Sequence, residues 1–210
     1  MNNATAYLID MSKIDELNII EYEDYFGEME ISDQEKKDRI NLARKFERVF
    51  ARLFEMLNYN TKEECYEYID NEYCEIATEY MGKKITPAYI VAYSAYITMA
   101  IINATLENIQ NEYYTSVARL LSISANEANA IANYRMQSRM ISKGYKYKKW
   151  ITMKDKYVRH THIEVDEKKI GIFEPFKVGK SELMFPKDSS LGASANEIVN
   201  CRCSIIYTKN

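Results

Sequence analysis

Apolar side chains recur every three or four positions through much of the first 143 residues, and this spacing predicts helices. The clearest run consists of Ile40, Ala43, Phe46, Phe50, Leu53, Phe54 and Leu57. Ser32-x-x-Glu35 stands just before it and matches a capping box, in which each side chain bonds the backbone N–H of the other residue. We therefore predict a helix over residues 33–58.

A second capping box, Thr61-x-x-Glu64, predicts a helix that reaches about residue 81. Gly82 suits the position after its end, because glycine adopts the left-handed conformation without strain. Cys65 and Cys74 lie on this helix and do not share a face, since nine residues at 100° each place them about 180° apart. We predict that both are small buried hydrophobic residues rather than a metal-binding pair.

Ser124-x-x-Glu127 repeats the capping pattern and predicts the start of another helix, which Gly144 would end. Residues 88–106 contain no charged side chain. Their many polar side chains and the lack of flanking basic clusters favour a central helix buried by its neighbours over a membrane span. Residues 1–31 are polar with scattered acids and predict an arm or short helix that docks on a surface the sequence does not identify.

Beyond Gly144 the pattern changes to alternation, which is typical of strands. Tyr145–Thr152 is the first candidate strand, and Lys169–Phe173, Leu183–Phe185 and Ser204–Tyr207 are shorter ones. The predicted fold is α+β: an elongated helical region of about four helices, followed by a small, loop-rich α+β domain. We place the helical region, a protein-interaction surface, at residues 1–124 and the second domain at residues 125–210.

Composition and charge indicate what the two regions can contact. The 47% apolar and 28% charged content is ordinary for a globular protein, and the 18 tyrosines suit interfaces between proteins. Residues 1–80 carry 20 acidic and 9 basic side chains, whereas residues 81–210 carry 11 acidic and 19 basic ones. The basic part can approach nucleic acid or an acidic partner. The candidate contacts are Arg135, Arg139, Lys143, Lys146, Lys148 and Lys149.

The segment from Trp150 to Cys203 concentrates the residue types that carry chemistry. Residues 1–12 do not resemble a secretory signal peptide, so we expect a reducing cytoplasm and cysteines that are thiols or metal ligands. Three interpretations stay open for this segment. His160, His162, Cys201 and Cys203 are zinc-ligand types, to which Asp155 or Asp188 would add oxygen.

The second interpretation is a cysteine nucleophile with a histidine base that Asp155 orients. The third is structural, with Asp155 paired to Arg159 and Arg202 bonded to Asp188 or Glu197. His and Cys side chains would then fill a compact polar core. The structural interpretation is the one we favour on physical grounds.

The order of motifs in this segment resembles the C-terminal domain of phage head morphogenesis proteins, the Mu protein F-like minor head proteins. A helix ending at Gly144 is followed by Lys149-Trp150, an Asp155-x-x-x-Arg159-x-x-His162 turn and Pro175-Phe176. Pro186-Lys187-Asp188 follows, with lysine where the family has a turn glycine, and Asn200-Cys201-Arg202-Cys203 closes the pattern. Val165-Asp166-Glu167 replaces the family's Leu-Asp-Gly.

The resemblance implies a structural role for Trp150, Asp155, Arg159, His162, Pro186, Asp188, Asn200, Cys201, Arg202 and Cys203. It also implies a minor head protein of a tailed phage or prophage rather than an enzyme. Expected partners are the portal protein, the major capsid protein or packaged DNA, with several copies per virion head and no membrane. Assembly would take place in the host cytoplasm. No cofactor is implied, while a structural zinc on His162, Cys201 and Cys203 and a zinc- or thiol-dependent enzyme built on them remain the alternatives.

Overall fold

The computed structural model describes residues 19–82, 97, 99–107 and 117–210. Its helices are α1 (Ile19–Gly27), α2 (Asp33–Met56), α3 (Lys62–Met81), α4 (Val117–Ser142), α5 (His160–Ile163) and α6 (Ala195–Ile198), and residues 99–107 are also helical. Its strands are β1 (Tyr147–Ile151), β2 (Lys169–Gly171), β3 (Phe176–Val178), β4 (Ser181–Leu183) and β5 (Ser204–Thr208). Helices followed by a small strand-containing region confirm the predicted α+β class.

Helices α2 and α3 begin where their capping boxes predict. The Ser32 hydroxyl accepts from the Glu35 N–H at 3.3 Å, and the Glu35 carboxylate accepts from the Ser32 N–H at 3.2 Å. Thr61 and Glu64 exchange the same two bonds. At the end of α3, Gly82 has φ +78°, the left-handed region that its position predicts. Both helix predictions are confirmed to within two residues.

The first hydrophobic core lies among α1, α2, α3 and α4. Phe46, Phe50 and Tyr73 pack at its centre with no more than trace exposure, and the Phe46 and Tyr73 rings lie 4.8 Å apart. Cys65 is buried in this core and Cys74 is half-buried against it, as predicted. Tyr22 of α1 is buried and donates to Glu47 at 2.9 Å, so the described part of the N-terminal segment does dock. Residues 1–18 lie outside the described residues.

The predicted helix start at Ser124 is wrong. Helix α4 begins at Val117 and continues through this position, where the buried Ser124 hydroxyl donates to the Leu120 carbonyl at 2.8 Å. Such a bond to the preceding turn satisfies serine inside a helix, so Ser-x-x-Glu by itself does not distinguish a cap from a helix interior. The helix ends before Gly144, as predicted, with φ +72° there. The division at residue 124 stays a prediction, and α4 passes through it.

Most of residues 88–106 lies outside the described residues. In the described part, residues 99–107, Ile101 and Ile102 are buried in the first core while Met99 is half exposed. No helix in the described ranges is both long and apolar enough to cross a membrane.

The C-terminal unit contains the second hydrophobic core. Its three-stranded antiparallel sheet has the order β2-β1-β5, and β3 pairs with β4 as a hairpin. Trp150, Phe176, Val178 and Leu183 are almost fully buried within it. β1, β2 and β5 lie where the alternation predicts them, β4 begins two residues before its predicted position, and β3 was not predicted.

Candidate functional site

His162 is held in the second core by the short helix α5. The Arg159 guanidinium, at the N-cap of this helix, donates to the Val199 carbonyl and so ties α5 to the loop before Asn200. His162 is 1% exposed, and its ring meets the Trp150 ring edge to face at 5.5 Å. His160, on the same helix, is exposed and faces Glu164 at 3.2 Å. The two histidines therefore have different environments, and only His162 joins the site.

Cys201 and Cys203 reach His162 from the loop before β5. Asn200 has φ +56°, and this left-handed residue turns the chain into the core. Asn200 accepts from Ser122 and Asn126 of α4 at 2.9 Å each, and its own N–H donates to the Asn126 side chain at 3.0 Å. His162 Nδ1 then lies 3.4 Å from Cys203 Sγ and 3.7 Å from Cys201 Sγ. Helix α4 thus holds the loop that carries both thiols.

The other ring nitrogen of His162 faces a carboxylate. Nε2 lies 3.2 Å from Glu197 Oε2, and the Thr161 hydroxyl donates to the same oxygen at 2.8 Å. The sequence prediction that Asp155 would orient the histidine is wrong, because Glu197 occupies that place. Nε2 makes no well-aligned hydrogen bond despite this short distance. A carboxylate near Nε2 nevertheless favours the tautomer with its proton there, in which the Nδ1 lone pair faces the two sulfurs.

The surroundings shift the pKa values of the two thiols in opposite directions. Burial opposes ionisation of Cys201, but the hydrogen bond with Cys203, the neighbouring His162 ring and the positive charge of Lys187 outweigh it and lower the pKa of this thiol. The bond to Cys201 and burial both raise the pKa of the Cys203 thiol, while the Trp150 indole N–H opposes that rise. The geometry therefore stabilises one thiolate in the interior of the protein.

Asp155 and Arg202 pair with each other rather than with the predicted partners. The Arg202 guanidinium donates to Asp155 across the loop, and Asp155 also accepts from the Tyr157 N–H at 2.9 Å. Burial opposes ionisation of Asp155, yet these bonds lower the pKa of its carboxyl. The predicted pairs Asp155–Arg159 and Arg202–Asp188 or Arg202–Glu197 are not formed, because Arg159 and Glu197 have the partners described above.

The Pro186-Lys187-Asp188 turn is built around two unusual residues. Asp188 is buried and accepts from the N–H groups of Met184 and Ser190 at 2.9 Å each. Lys187 has φ +71°, which explains why the related family has glycine at this turn. Its buried ammonium group donates to Asn126 and to the Ile198 carbonyl, and burial lowers its pKa to about 8.

The residues predicted to contact nucleic acid or an acidic partner differ in their exposure. Arg139, Lys143 and Lys146 are exposed, and Lys149 is half-buried. Arg135 is also half-buried, with its guanidinium 4.4 Å from the Tyr80 ring centre and 3.9 Å from Asp38. Lys148 is fully buried and donates to the Met184 carbonyl at 2.7 Å. A partner cannot reach Lys148 in this fold, so the expected contact does not extend to it.

Sequence reasoning missed a row of buried amides along α4. Asn129 donates to the Cys201 carbonyl at 3.2 Å, Asn133 to the Pro186 carbonyl at 3.0 Å and Gln137 to the Ile172 carbonyl at 2.8 Å. Arg39 of α2 donates to the side-chain oxygens of Asn129 and Asn133 at 3.1 and 3.0 Å. We call Asn126, Asn129, Asn133 and Gln137 the amide row. Their spacing of three and four on an alanine-rich helix is the signal that would have revealed it.

The group formed by His162, Cys201 and Cys203 is better suited to a structural role than to catalytic turnover. The thiols and imidazole are at most 3% exposed, so a substrate has no open path to them. Arg159, Asn200 and Arg202 line an adjoining cleft of about 490 Å³, yet each bonds to the protein itself. Asp155 and Asp188, considered above as oxygen ligands, lie outside the group formed by His162, Cys201 and Cys203.

The structure thus combines a helical region with a small α+β unit in which most of the motif residues lie. The family model described as "Phage Mu protein F like protein" matches residues 97–206, a little over half of the chain. The chain therefore belongs to this family. Membership points to a structural protein of the virion head.

One relative carries an enzyme activity in its name. The NAD(+)--arginine ADP-ribosyltransferase EFV of Enterococcus faecalis (strain ATCC 700802 / V583) is 33% identical over 107 residues, which cover 47% of this chain and 20% of that protein. The chain thus spans about a fifth of the relative's length, and the transferase activity is a property of that protein. No solved structure matches the chain.

Proposed function

We propose that this protein acts at the portal or the capsid interior during head assembly and DNA packaging or delivery. The observation that carries the proposal is the family match over residues 97–206, which covers all of α4 and most of the C-terminal unit. The use of the motif side chains supports it: Asp155, Asp188 and Asn200 bond to the protein's own main chain or to neighbouring side chains. A domain whose polar residues hold loops in place suits assembly rather than turnover.

The partners that fit this role are the portal protein, the major capsid protein or both. Exposed aromatic side chains occur on both parts of the described chain, with Tyr59 74%, Tyr157 72% and Phe173 72% exposed. Large aromatic residues with little conformational entropy to lose are favoured at protein interfaces. We infer that several copies of this protein bind these partners in the head. The head itself would be assembled in the host cytoplasm.

Packaged DNA is the further partner that the charge distribution supports. Arg139 and Lys143 at the end of α4 and Lys146 before β1 are exposed and basic. In the sheet, Lys149 pairs with Lys169 across β1 and β2, which adds positive charge beside them. Phosphate contacts of this kind bind DNA without reading sequence and weaken steeply with salt.

The assembly role is tested by affinity purification of the tagged full chain from infected or induced cells. We expect portal protein, major capsid protein or procapsids to co-purify. The double variant Tyr157→Ser and Phe173→Ser should reduce the yield of partner, whereas Tyr59→Ser separates the contribution of the helical region. A protein that is found only free in such cells, with no head component bound, would contradict the proposal.

The DNA contact is tested separately by titrating fluorescent duplex DNA at several salt concentrations. The triple variant Arg139→Glu, Lys143→Glu and Lys146→Glu should bind more weakly and show a shallower salt slope, by roughly one unit for each phosphate that is no longer neutralised. Lys37→Glu with Lys62→Glu, two exposed positions in the acidic part of the chain, is the matched control. Binding that does not change with salt, or equal weakening in both variants, would remove DNA from the proposal.

A further inference from the structure

The buried group of His162, Cys201 and Cys203 has no role in the function proposed above. These residues lie 39 and 41 positions apart in the chain and come from α5 and the loop before β5. Their ligand atoms all lie within 4.8 Å of one another, and all three side chains are buried. Among the described residues this is the group of His, Cys, Asp and Glu side chains that is close enough to share a metal ion.

The distances match those that a tetrahedral zinc site requires. Zinc lies about 2.3 Å from sulfur and about 2.0 Å from imidazole nitrogen, so nitrogen and sulfur ligands of one ion are about 3.5 Å apart. His162 Nδ1 lies 3.4 Å from Cys203 Sγ and 3.7 Å from Cys201 Sγ. These two nitrogen–sulfur distances are close to those of ligands that share one zinc ion, and the two sulfur atoms lie within 4.8 Å of each other, so small side-chain shifts would let an ion bind between the three atoms.

The surroundings orient the histidine as zinc sites do. Glu197 Oε2 lies 3.2 Å from His162 Nε2, and Thr161 holds that carboxylate with a 2.8 Å bond. A carboxylate behind a ligating histidine fixes the tautomer and makes the other nitrogen a better donor. The Nδ1 lone pair then points at the sulfurs rather than away from them.

The remaining neighbours suit sulfur ligands that carry charge. The Trp150 indole N–H is buried without a hydrogen-bond partner and lies near enough to Cys203 to oppose the rise in the pKa of that thiol, so it favours a charged sulfur there. Two thiolates also balance the charge of a divalent ion in a site that water does not reach, which reduces the cost of burying it. Thiolate and imidazole ligands together favour zinc over the hard cations magnesium and calcium.

We propose that His162 Nδ1, Cys201 Sγ and Cys203 Sγ bind a zinc ion that fastens α5 to the loop before β5. Among the described residues, no further His, Cys, Asp or Glu side chain joins these three ligands. The ion stabilises a unit whose second core is small, as structural metals do in other small domains. This inference does not depend on the partner proposed above, because it concerns the interior of the unit.

Metal content of the full chain, purified without chelator from zinc-supplemented medium, tests the site. About one zinc per chain is expected in the wild-type protein, a stoichiometry typical of a structural site. His162→Asn should lose it, whereas His160→Asn, two residues away on the same helix, should retain it. Cys203→Ala and Cys74→Ala form a second matched pair. Equal zinc content in His162→Asn and His160→Asn would overturn the proposal.

A test on the wild-type protein covers the case in which His162→Asn does not fold. After the metal is removed, cobalt is added and should give intense thiolate-to-cobalt absorption, which one equivalent of zinc abolishes. Glu197→Gln should weaken zinc binding by about 10- to 100-fold without removing a ligand, and Glu182→Gln, exposed nearby, should not. A folded protein that gives no such absorption, or that contains a disulfide between Cys201 and Cys203, would contradict the site.

Discussion

Substitution of the buried residue Arg39 should lower the stability of the protein. It is 2% exposed, and its guanidinium serves two members of the amide row, Asn129 and Asn133. Arg39→Met leaves two buried amide oxygens with fewer donors, so we expect the free energy of unfolding to fall by about 3 kcal/mol. Urea denaturation measures this change.

Arg52→Met on the same helix is the control for Arg39→Met. Arg52 is more than half exposed and pairs only with Glu55, at 2.6 Å, so its removal should change stability by less than about 1 kcal/mol. Equal effects of the two substitutions would show that the Arg39 bonds contribute nothing beyond an ordinary surface pair.

Lys148 should give the stability of the protein a distinct dependence on pH. Burial lowers its pKa from 10.5 to about 8, although Asp188 and Glu174 act in the opposite direction. Between these values the unfolded chain binds a proton that the folded chain does not, so the free energy of unfolding rises with pH. Below pH 8 both states carry the proton and this contribution to the slope vanishes.

The measurement is urea denaturation at pH 8 and pH 9.5. Lys148→Met should show a smaller rise than the wild-type protein, by about 1–2 kcal/mol, because one residue with a lowered pKa has been removed. Lys146→Met, at an exposed position two residues earlier, should keep the full rise. A slope that is unchanged in Lys148→Met would mean that Lys148 stays charged in the interior.

Lys148 also shows that residue type alone does not predict whether a charged side chain is buried. Its charge suggested a surface contact, but β1 alternates, so position 148 shares a face with the buried Trp150. The same limit applies to Asp155, whose nearest basic neighbour in the motif is Arg159 while its partner is Arg202. Residue identity supplied the candidates, and the pairing depended on long-range packing that spacing does not encode.

At the scale of elements, the same four-residue pattern has two outcomes that can be separated by mutation. Ser32 caps α2, so Ser32→Ala should lower the free energy of unfolding by about 1 kcal/mol. Ser124 lies inside α4 and bonds only to the preceding turn, so Ser124→Ala should be nearly neutral, since alanine favours the helix. Thermal unfolding of the two variants beside the wild-type protein decides this. A larger destabilisation by Ser124→Ala than by Ser32→Ala would support the predicted cap at Ser124.

Long, periodic helices were predictable, and short strands were only partly so. α2 and α3 each combine a capping box with an apolar face, so two independent signals agree on their limits. β3 has three residues, and its pairing with β4 depends on a turn around Gly179 rather than on a pattern of its own. Three residues are too few for alternation to be distinguished from chance.

At the scale of the whole molecule, the amide row predicts that the helices and the C-terminal unit unfold together. Trp150 is the protein's only tryptophan and is buried in the second core, so its fluorescence reports on that unit, whereas far-ultraviolet circular dichroism reports mainly on the helices. The two midpoints in urea should coincide. Asn133→Ala should lower both by the same amount, because this residue bonds to both parts. Two separate midpoints would show that the parts are independent.

The members of the candidate site could be predicted from sequence, but their geometry could not. His162, Cys201 and Cys203 were named as ligand types, while His160 seemed equivalent until α5 placed the two histidines in different environments. Glu197 was overlooked as a partner of His162 because it lies 35 positions away and carries no motif of its own. The ordered motif identified the family even though its internal contacts were not predictable.

The amide row has a consequence for how this protein can tolerate change. Asn129, Asn133 and Gln137 bond to main-chain carbonyls, which every amino acid supplies. At these three carbonyls the side chain of the facing residue is not what α4 binds, whereas Asn126 and Gln137 also bond to the side chains of Asn200, Lys187 and Tyr207. A C-terminal unit from a distant relative, grafted after Ser142, would find the same donors on the helix. Docking of this kind makes the unit exchangeable between proteins whose other regions have nothing in common.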